Sequence, residues 1–242
     1  MAANVESMFY VREKPWHGLG TCVDEAMTSR EALRMAGLDW GVEQRSIQVL
    51  GGTKIDHFVA NVRDSDGAVL GIVSDRYRVV QNAEAFAFTD ALIGDGVRYE
   101  TAGSLQNGKR IWLLAKMPSK KIVGDVVDPY LCFSNTHDGS GAIRVCMTPV
   151  RVVCNNTLNL ALRTSHRSWT TRHTGDIDEK MQEARLCLGM ADAYMGELSE
   201  YADRLANTKV TDGEMDEILS EMFPVGEADT DRKKAGAQQA KD

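Results

Sequence analysis

Five arginines and no acidic residue lie between Gly139 and Gly175, although the whole chain has a net charge of −7. The arginines of this basic strip are Arg144, Arg151, Arg163, Arg167 and Arg172. Two of them, Arg167 and Arg172, flank Trp169. Alternating cationic and aromatic side chains are typical of surfaces that contact phosphates and stack on bases. The basic strip is therefore a candidate nucleic-acid-binding segment.

A smaller patch of the same kind occurs at Arg76, Tyr77 and Arg78, just after a predicted strand. We assign it to the same candidate surface, with arginines as phosphate contacts and with Tyr77 or Trp169 as a stacking platform. The alternative interpretation is that these charged residues are simply solvated at the end of a strand.

The charge of the chain is divided unevenly. Residues 1–138 carry 15 basic and 18 acidic side chains, residues 139–175 carry 5 and none, and residues 176–242 carry 8 and 17, which gives net charges of −3, +5 and −9. An acidic protein is not expected to bind polyanions over its whole surface. The basic strip therefore either binds a confined anionic ligand or pairs with the carboxylates of the acidic C-terminal segment.

A second group of residues has the types that polar chemistry needs. This candidate polar site comprises Trp16, His17, Asn135, His137, Asp138, Cys154, Asn155 and Asn156. A histidine oriented by an acid can act as a general acid or base, and a cysteine at the start of a helix can have a lowered pKa. The hypothesis of an enzyme site requires that these side chains meet in one pocket.

The same residues also have structural interpretations. The segment 135–140 is a good hairpin turn, because Asn and Asp bond the local backbone and glycine adopts positive φ. Cys154 is then a small core residue, followed by Asn155 or Asn156 as the N-cap of a helix. Trp16 is an anchor that holds the N-terminal arm on the domain.

Turn signals and hydrophobic periodicity predict an α+β fold with a largely antiparallel sheet and packed helices, followed by a C-terminal helical extension. Gly51-Gly52 and Asn107-Gly108 are hairpin turns, and strands joined by turns this short must be antiparallel. Thr28 and Glu31 have the spacing of a capping box at the start of a first helix. The N-terminal residues show no such pattern and are expected to be extended and irregular.

The remaining elements are less sharply marked. A strand is predicted over 142–154 unless Pro149 divides it, because proline cannot donate to a central ladder. A short strand is predicted over 122–127. One long helix over 177–205 has apolar residues at three- and four-residue steps, and a second helix covers 215–223.

These elements predict three regions. An α+β core domain covers residues 1–175 and an acidic helical extension covers 176–224. The small, charged residues of 225–242 are expected to form a disordered or incomplete tail.

Composition excludes several classes of protein. The five widely spaced cysteines predict reduced, buried thiols, as in a cytosolic protein. The chain has no zinc-type Cys/His spacing, no P-loop and no Rossmann fingerprint, so we expect no metal and no cofactor. No apolar run approaches the roughly 20 residues that span a bilayer, so we expect no membrane partner.

Five sequence motifs occur in a recognisable order. They are PWHGLG (Pro15–Gly20), AGLDW (Ala36–Trp40), SDRYRVVQNAEAF (Ser74–Phe86), SNTHDGSGAIRV (Ser134–Val145) and TPVRVVCNNTLNLAL (Thr148–Leu162). Together they resemble the phage/plasmid-like protein family built on domain of unknown function 932. The resemblance implies a gene of phages, plasmids and other mobile genetic elements, and a cytoplasmic location in a bacterial host cell. It implies no particular reaction.

Three hypotheses about function remain open. The first is a mobile-element protein that binds single-stranded DNA in replication or recombination, as a homo-oligomer in which many weak sites add up. The second is a protein-interaction module, or an inhibitor of a host factor, that acts through its acidic helices. The third is an enzyme with the candidate polar site. The direction of the arginines separates the first two, because they point either outward or toward the acidic helices.

Overall fold

The computed structural model of the chain describes residues 4–24, 28–93, 98–165, 167–188 and 191–222, and within these ranges the fold is α+β, as predicted. The strands are β1 (Val5–Val11), β2 (Thr21–Val23), β3 (Val42–Gln48), β4 (Lys54–Arg63), β5 (Val69–Ser74), β6 (Arg98–Leu105), β7 (Arg110–Lys116), β8 (Lys120–Ile122), β9 (Asp125–Val127), β10 (Tyr130–Thr136), β11 (Ile143–Thr148) and β12 (Arg167–Thr171). The helices are α1 (Ser29–Met35), α2 (Asn82–Ile93), α3 (Asn155–Thr164), α4 (Ile177–Leu188), α5 (Ala191–Asn207) and α6 (Asp212–Met222).

Seven strands form the main sheet, in the order β12-β11-β10-β7-β6-β1-β2. All neighbouring pairs are antiparallel except β1 and β2, which are parallel. The expectation of an irregular N-terminus was therefore wrong, since β1 lies inside the sheet with Phe9 opposite Ala102 of β6. The two strands approach closely at Gly103, where a Cβ atom would lie 2.2 Å from the Ser7 carbonyl oxygen.

Two smaller sheets flank the main one. The order β3-β4-β5 matches the predicted hairpins. This sheet contacts the turn after β10 at Gly71, where the backbones are so close that a Cβ atom would lie 2.5 Å from Asp138 Cα. The single strand predicted over 122–127 is instead a hairpin of β8 and β9. Positive φ angles at Val123 and Gly124 reverse the chain between them.

One face of the main sheet, which we call the closed face, packs against α1, α2, α4 and the β3-β4-β5 sheet. Its core joins Phe133 and Val145 of the sheet to Phe86 of α2. Helix α4 contributes Met181 and Ala184 to the same core. The hydrophobic core therefore continues beyond residue 175 into the first helix of the acidic segment.

The opposite face, which we call the α3 face, packs against α3 and the segment that leads to it. Trp112 and Cys146 of the sheet contact a cluster that includes Leu158 and Ala161 of α3. Strand β11 ends at Thr148, directly before Pro149, so the proline ends the strand predicted over 142–154, which is the alternative that the sequence left open. The chain then crosses this face and begins α3 at residue 155.

The acidic C-terminal segment is helical. The helix predicted over 177–205 corresponds to α4 and α5, and residues 189–190 between them lie outside the described part of the chain, as does the predicted tail over 225–242. Helix α4 contacts β12 and α2, and α5 contacts β8. None of the described helices is both long enough and apolar enough to cross a membrane.

Candidate nucleic-acid interface

Arginines form a row across the α3 face of the main sheet. The sheet register places Arg110 of β7 opposite Thr136 of β10, and Arg144 of β11 opposite Ser134 of β10, so both side chains lie on the same face. Arg172 follows β12 two residues after Thr170, which is paired with Arg144. Because neighbouring strands are about 4.8 Å apart, the row crosses roughly 14 Å of sheet.

Helix α3 adds an exposed polar stripe beside this row. Asn156, Asn159, Leu160 and Arg163 follow the spacing of one helix face, and all four are exposed. They line a depression of about 560 Å³. The Nη1 atom of Arg110 donates to Asn159 Oδ1 at 3.1 Å, which joins the stripe to the row.

Three exposed arginines of the α3 face have no neighbouring carboxylate among the described residues. Within the described ranges, no Asp or Glu oxygen lies within 4 Å of the guanidinium groups of Arg144, Arg163 or Arg172. Burial, followed by the nearby charge of Arg144, lowers the pKa of Arg110. Uncompensated like charges on one face cost stability and favour an anionic ligand.

An exposed tryptophan lies at the start of α3. The loop that carries it is held by His17, whose Nε2–H donates to the Val153 carbonyl at 2.8 Å while its Nδ1 accepts from the Leu19 amide. The Trp16 side chain is 67% exposed and makes an edge contact with the His17 ring at 5.3 Å. His17 therefore holds this loop on the domain, a role that the sequence interpretation gave to Trp16, and most of the Trp16 indole is exposed to solvent.

Arg151 does not belong to this exposed row. Its Nε donates to the carboxylate of Glu100 at 2.7 Å, and its Nη2 donates to the carbonyls of Val11 and Glu13. The Glu100 side chain is only 3% exposed and also pairs with Arg12 at 3.0 Å. The predicted phosphate contact from Arg151 is replaced by an internal ion pair that ties the N-terminal arm to the sheet.

The two predicted stacking platforms, Trp169 and Tyr77, are also buried. Trp169 is 9% exposed and belongs to the core of the closed face. The Tyr77 ring is buried, its hydroxyl donates to the Thr136 carbonyl, and it stacks on His173 at 4.4 Å. Neither ring is accessible to a base.

The other predicted contacts fall in two places. Arg76 and Arg78 are exposed on either side of Tyr77, near the cavity to which Arg172 contributes. Arg167 lies in β12 opposite Met147, and its side chain is outside the described part of the structure.

The candidate polar site divides into two separate groups. Asn135 and His137 are buried on the closed face, where Asn135 donates to the Val80 carbonyl and His137 bonds to Asn61 and Asn82. The group of Trp16, His17, Cys154, Asn155 and Asn156 lies on the α3 face. The hypothesis of one enzyme pocket required these side chains to converge, and the sheet separates them.

His137 is a structural residue of the closed face. Its Nε2–H donates to Asn82 Oδ1 at 3.0 Å, because the Asn82 amide nitrogen already donates to two backbone carbonyls. Burial, with a smaller effect of nearby His173, lowers the pKa of His137 to about 3. Asp138 accepts from the amide and hydroxyl of Ser140, as the turn interpretation predicted.

Cys154 caps α3 in place of the predicted asparagines. The Thr157 hydroxyl bonds to the backbone at the N-terminus of α3, where it accepts from the amides of Val153 and Cys154 and donates to the Cys154 carbonyl. Burial raises the pKa of the Cys154 thiol, but hydrogen bonds from Thr157, the Asn156 amide and the Trp16 indole outweigh it, and the pKa is lowered. The thiol side chain thus links the tryptophan loop to α3.

A metal site is not apparent in the described part of the chain, where no three His, Cys, Asp or Glu side chains are grouped so as to hold an ion. Cys132, Cys146 and Cys154 are buried free thiols, while Cys22 is exposed.

Sequence reasoning missed Arg110 and Asn159. Arg110 lies outside the acid-free segment and joins the row only through the pairing of β7 with β10. Asn159 lies inside a predicted helix, and its position three residues after Asn156 and four before Arg163 was a signal that could have placed it on their face.

The fold and this surface define an α+β protein with a largely antiparallel sheet, one face of which carries exposed arginines without carboxylate partners among the described residues. The chain belongs to the family described as domain of unknown function (DUF932), because the family model matches residues 69–242. The resemblance inferred from the sequence motifs is thereby confirmed at the level of this family. Searches of curated proteins and of solved structures found no match.

Proposed function

We propose that this protein binds single-stranded nucleic acid along its α3 face. The observation that carries the proposal is the row of Arg110, Arg144 and Arg172, extended by Arg163, with no carboxylate of the described residues within 4 Å of the last three. Such a row suits the regular negative charge of a phosphate backbone.

The exposed indole supports a single strand rather than a duplex. Trp16 lies at the start of α3 and Arg163 near its end, and a ten-residue helix is about 15 Å long. A strand that follows α3 would contact the indole at one end and guanidinium groups along its length. Unpaired bases can stack on an exposed aromatic ring, whereas bases inside a duplex cannot reach it.

The asparagines of the stripe add sequence-independent contacts. Asn156 and Asn159 are exposed between the indole and Arg163, and side-chain amides donate readily to phosphate and sugar oxygens. We further propose that the protein serves replication or recombination of a phage or plasmid in the cytoplasm of its host. Assembly into a homo-oligomer would align several weak sites along one strand.

The test is binding of a fluorescently labelled 30-nucleotide single strand, and of its duplex, across a salt series. Wild-type affinity should fall steeply with salt, and the single strand should bind more tightly than the duplex. Arg110→Ala and Arg163→Ala should each flatten the slope of log K against log salt by about 0.7. Trp16→Ala should weaken binding by about 1–3 kcal/mol and leave the slope unchanged.

Arg98→Ala is the matched control. Arg98 is an exposed arginine on the same sheet, but it pairs with Lys116 at the opposite end of β6 and β7. If Arg98→Ala flattens the slope of log K against log salt as much as Arg163→Ala does, the effect is one of overall charge, and this result would contradict the proposed surface. Absence of single-strand binding at low salt would also contradict the proposal.

A second candidate function is a protein interaction through the acidic helices. Exposed apolar side chains lie among the acidic residues of α5 and α6, namely Tyr201, Leu205, Met215 and Ile218. Apolar residues surrounded by charge are common where proteins dock. Failure of nucleic acid to bind at low salt would make this the favoured function.

A further inference from the structure

Helix α6 exposes an apolar stripe to solvent. The side chains of residues 212–221 are all exposed except that of Leu219, which is half-buried. Met215 is 44% exposed and Ile218 is 43% exposed, and these two residues and Leu219 lie at three- and four-residue steps along one side of the helix. A helix packed in a domain buries such a stripe. Most of the stripe is not covered by the described part of the chain.

The charge of α6 limits the partners that this stripe can have. The helix has no basic residue and five acidic ones, namely Asp212, Glu214, Asp216, Glu217 and Glu221. None of the five forms an ion pair with a described residue. Two copies of α6 would repel each other, because like charges that face across an interface are strongly unfavourable. A partner of α6 must therefore be cationic as well as apolar.

The α3 face has both properties. Leu160 is 50% exposed in the depression that it lines with Arg163, and Trp16 is 67% exposed at the start of the helix. The guanidinium group of Arg163 has no carboxylate within 4 Å among the described residues. Helix α3 has 10 residues and α6 has 11, so they are about 15 and 17 Å long. Helix α6 can therefore lie along the whole of α3.

The side chains of the two helices also match in kind. Carboxylates bind guanidinium groups through charge-assisted hydrogen bonds, which are stronger than neutral ones. A methionine side chain is flexible and polarizable and packs well against an aromatic ring, so Met215 suits the exposed indole of Trp16. An amphipathic helix laid into a groove is a common mode of protein recognition.

The α3 face that α6 would contact belongs to a second copy of the chain. Within one chain, α5 leads to α6 and contacts β8, where Ser199 Oγ donates to the Lys121 carbonyl at 3.2 Å. Strand β8 follows the end of β7 at Lys116, whereas Arg110 is at the start of β7. No ion pair of the described residues joins α6 to the α3 face of its own chain.

We propose that α6 of one copy docks on the α3 face of a second copy. Met215 and Ile218 pack on the exposed apolar residues of that face, and the α6 carboxylates pair with Arg163. The contact joins two different surfaces, so it links copies head to tail. The proposal does not rest on strand binding, because it needs only the charges and apolar residues of the two surfaces. Since Arg163 serves both contacts, the docked assembly is the form without nucleic acid and is distinct from assembly along a strand.

The experiment is sedimentation velocity of the full chain without nucleic acid, over a range of protein and salt concentrations. We expect the wild type to self-associate, and to do so more weakly at high salt, because the paired groups are charged. Arg163→Glu breaks the α3 side of the contact, and Glu217→Lys/Glu221→Lys breaks the α6 side. Each should weaken self-association by about tenfold or more, since attraction becomes repulsion.

A mixture of the two variants separates docking between copies from docking within one chain. The Arg163→Glu protein keeps an intact α6, and the Glu217→Lys/Glu221→Lys protein keeps an intact α3 face. One contact therefore remains possible in the mixture, which should form a dimer with one copy of each variant. Docking of α6 on its own chain would give no such dimer.

Arg98→Glu and Glu183→Lys are the matched controls. Both residues are exposed, and they lie in β6 and α4, away from the proposed contact. Each control should self-associate as the wild type does, and thermal unfolding of every variant checks the fold. If the controls weaken self-association as much as Arg163→Glu does, the effect is one of overall charge and the proposal is wrong.

Three further results would overturn the proposal. They are a monomeric wild type at low salt and every protein concentration, unchanged self-association of Arg163→Glu, and absence of a dimer in the mixture. Strand binding is tested separately, because the Glu217→Lys/Glu221→Lys protein keeps the arginines of the α3 face and should bind the labelled single strand at least as tightly as the wild type. Failure of strand binding in this variant would count against the proposed function and not against docking.

Discussion

The two faces of the main sheet are built from the same strands but serve different purposes. The closed face packs against three helices and a second sheet, and it buries even its polar residues, such as Asn135 and His137. The α3 face packs against one ten-residue helix and leaves Arg144 and Arg163 exposed without a carboxylate partner among the described residues. Stability is concentrated on the first face, and uncompensated charge on the second.

This contrast also bears on the two alternatives for the basic strip, which either binds an anionic ligand or pairs with the carboxylates of the acidic C-terminal segment. Helix α4, the first of the acidic helices, packs on the closed face through Met181 and Ala184. The described carboxylates of this helix, Glu179 and Glu183, make no ion pair with Arg144. Within the described ranges, no ion pair joins the basic strip to α4, α5 or α6.

The largest expected effect is at Trp169, in the core of the closed face. Trp169→Ala should lower the free energy of unfolding by about 3–5 kcal/mol, since a buried tryptophan is replaced by a cavity. Urea unfolding measures this change. A loss below about 1 kcal/mol would show that the ring is not packed in the core and would restore it as a stacking platform.

The next effect is at Arg151, which lies inside the fold although it belongs to the basic strip. Arg151→Ala should cost about 3 kcal/mol, at the low end for a broken buried pair, because Arg12 still neutralises Glu100. The same variant should leave the salt dependence of strand binding unchanged. A flatter salt slope in folded Arg151→Ala would contradict the assignment.

His137 should make stability depend on pH. Its folded-state pKa, about 3, is below the unfolded value near 6.5. Its contribution to the free energy of unfolding is therefore complete above pH 6.5 and is lost as pH falls toward 3. Between pH 7 and pH 5 the wild type should lose about 2 kcal/mol more than His137→Gln. Urea unfolding at both pH values measures the difference, and equal losses would contradict a buried neutral ring.

The smallest effect is expected at Arg144, on the α3 face. Arg144→Gln should leave stability unchanged or raise it by about 0.5 kcal/mol, because it removes the like charge that, after burial, lowers the pKa of Arg110. The melting temperature of this variant, compared with that of the wild type, measures the change in stability. A loss of more than about 1 kcal/mol would mean that Arg144 has a structural partner.

Much of the fold could be predicted because its signals are local. The capping box of Thr28 and Glu31 is present as predicted, and the hairpins at Gly51-Gly52 and Asn107-Gly108 give antiparallel pairs. Strand β1 was missed because its partner β6 follows more than ninety residues later, and no turn marks the pairing. Sheet order depends on such distant contacts.

The candidate site could be predicted only in part, for the same reason. The acid-free segment identified Arg144 and Arg163, but the register that adds Arg110 is a property of three strands. Local sequence also did not distinguish the two tryptophans. Trp169 lies in a basic segment yet is buried, whereas Trp16 was taken as an anchor yet is exposed.

The measurement that most directly tests the central claim is the salt slope of single-strand binding for the double variant Arg110→Ala/Arg163→Ala, compared with Arg98→Ala. The account predicts that the double variant flattens the slope by about 1.4, the sum of two lost phosphate contacts, while Arg98→Ala keeps the wild-type slope. Equal slopes in the wild type and the double variant would contradict binding along the α3 face.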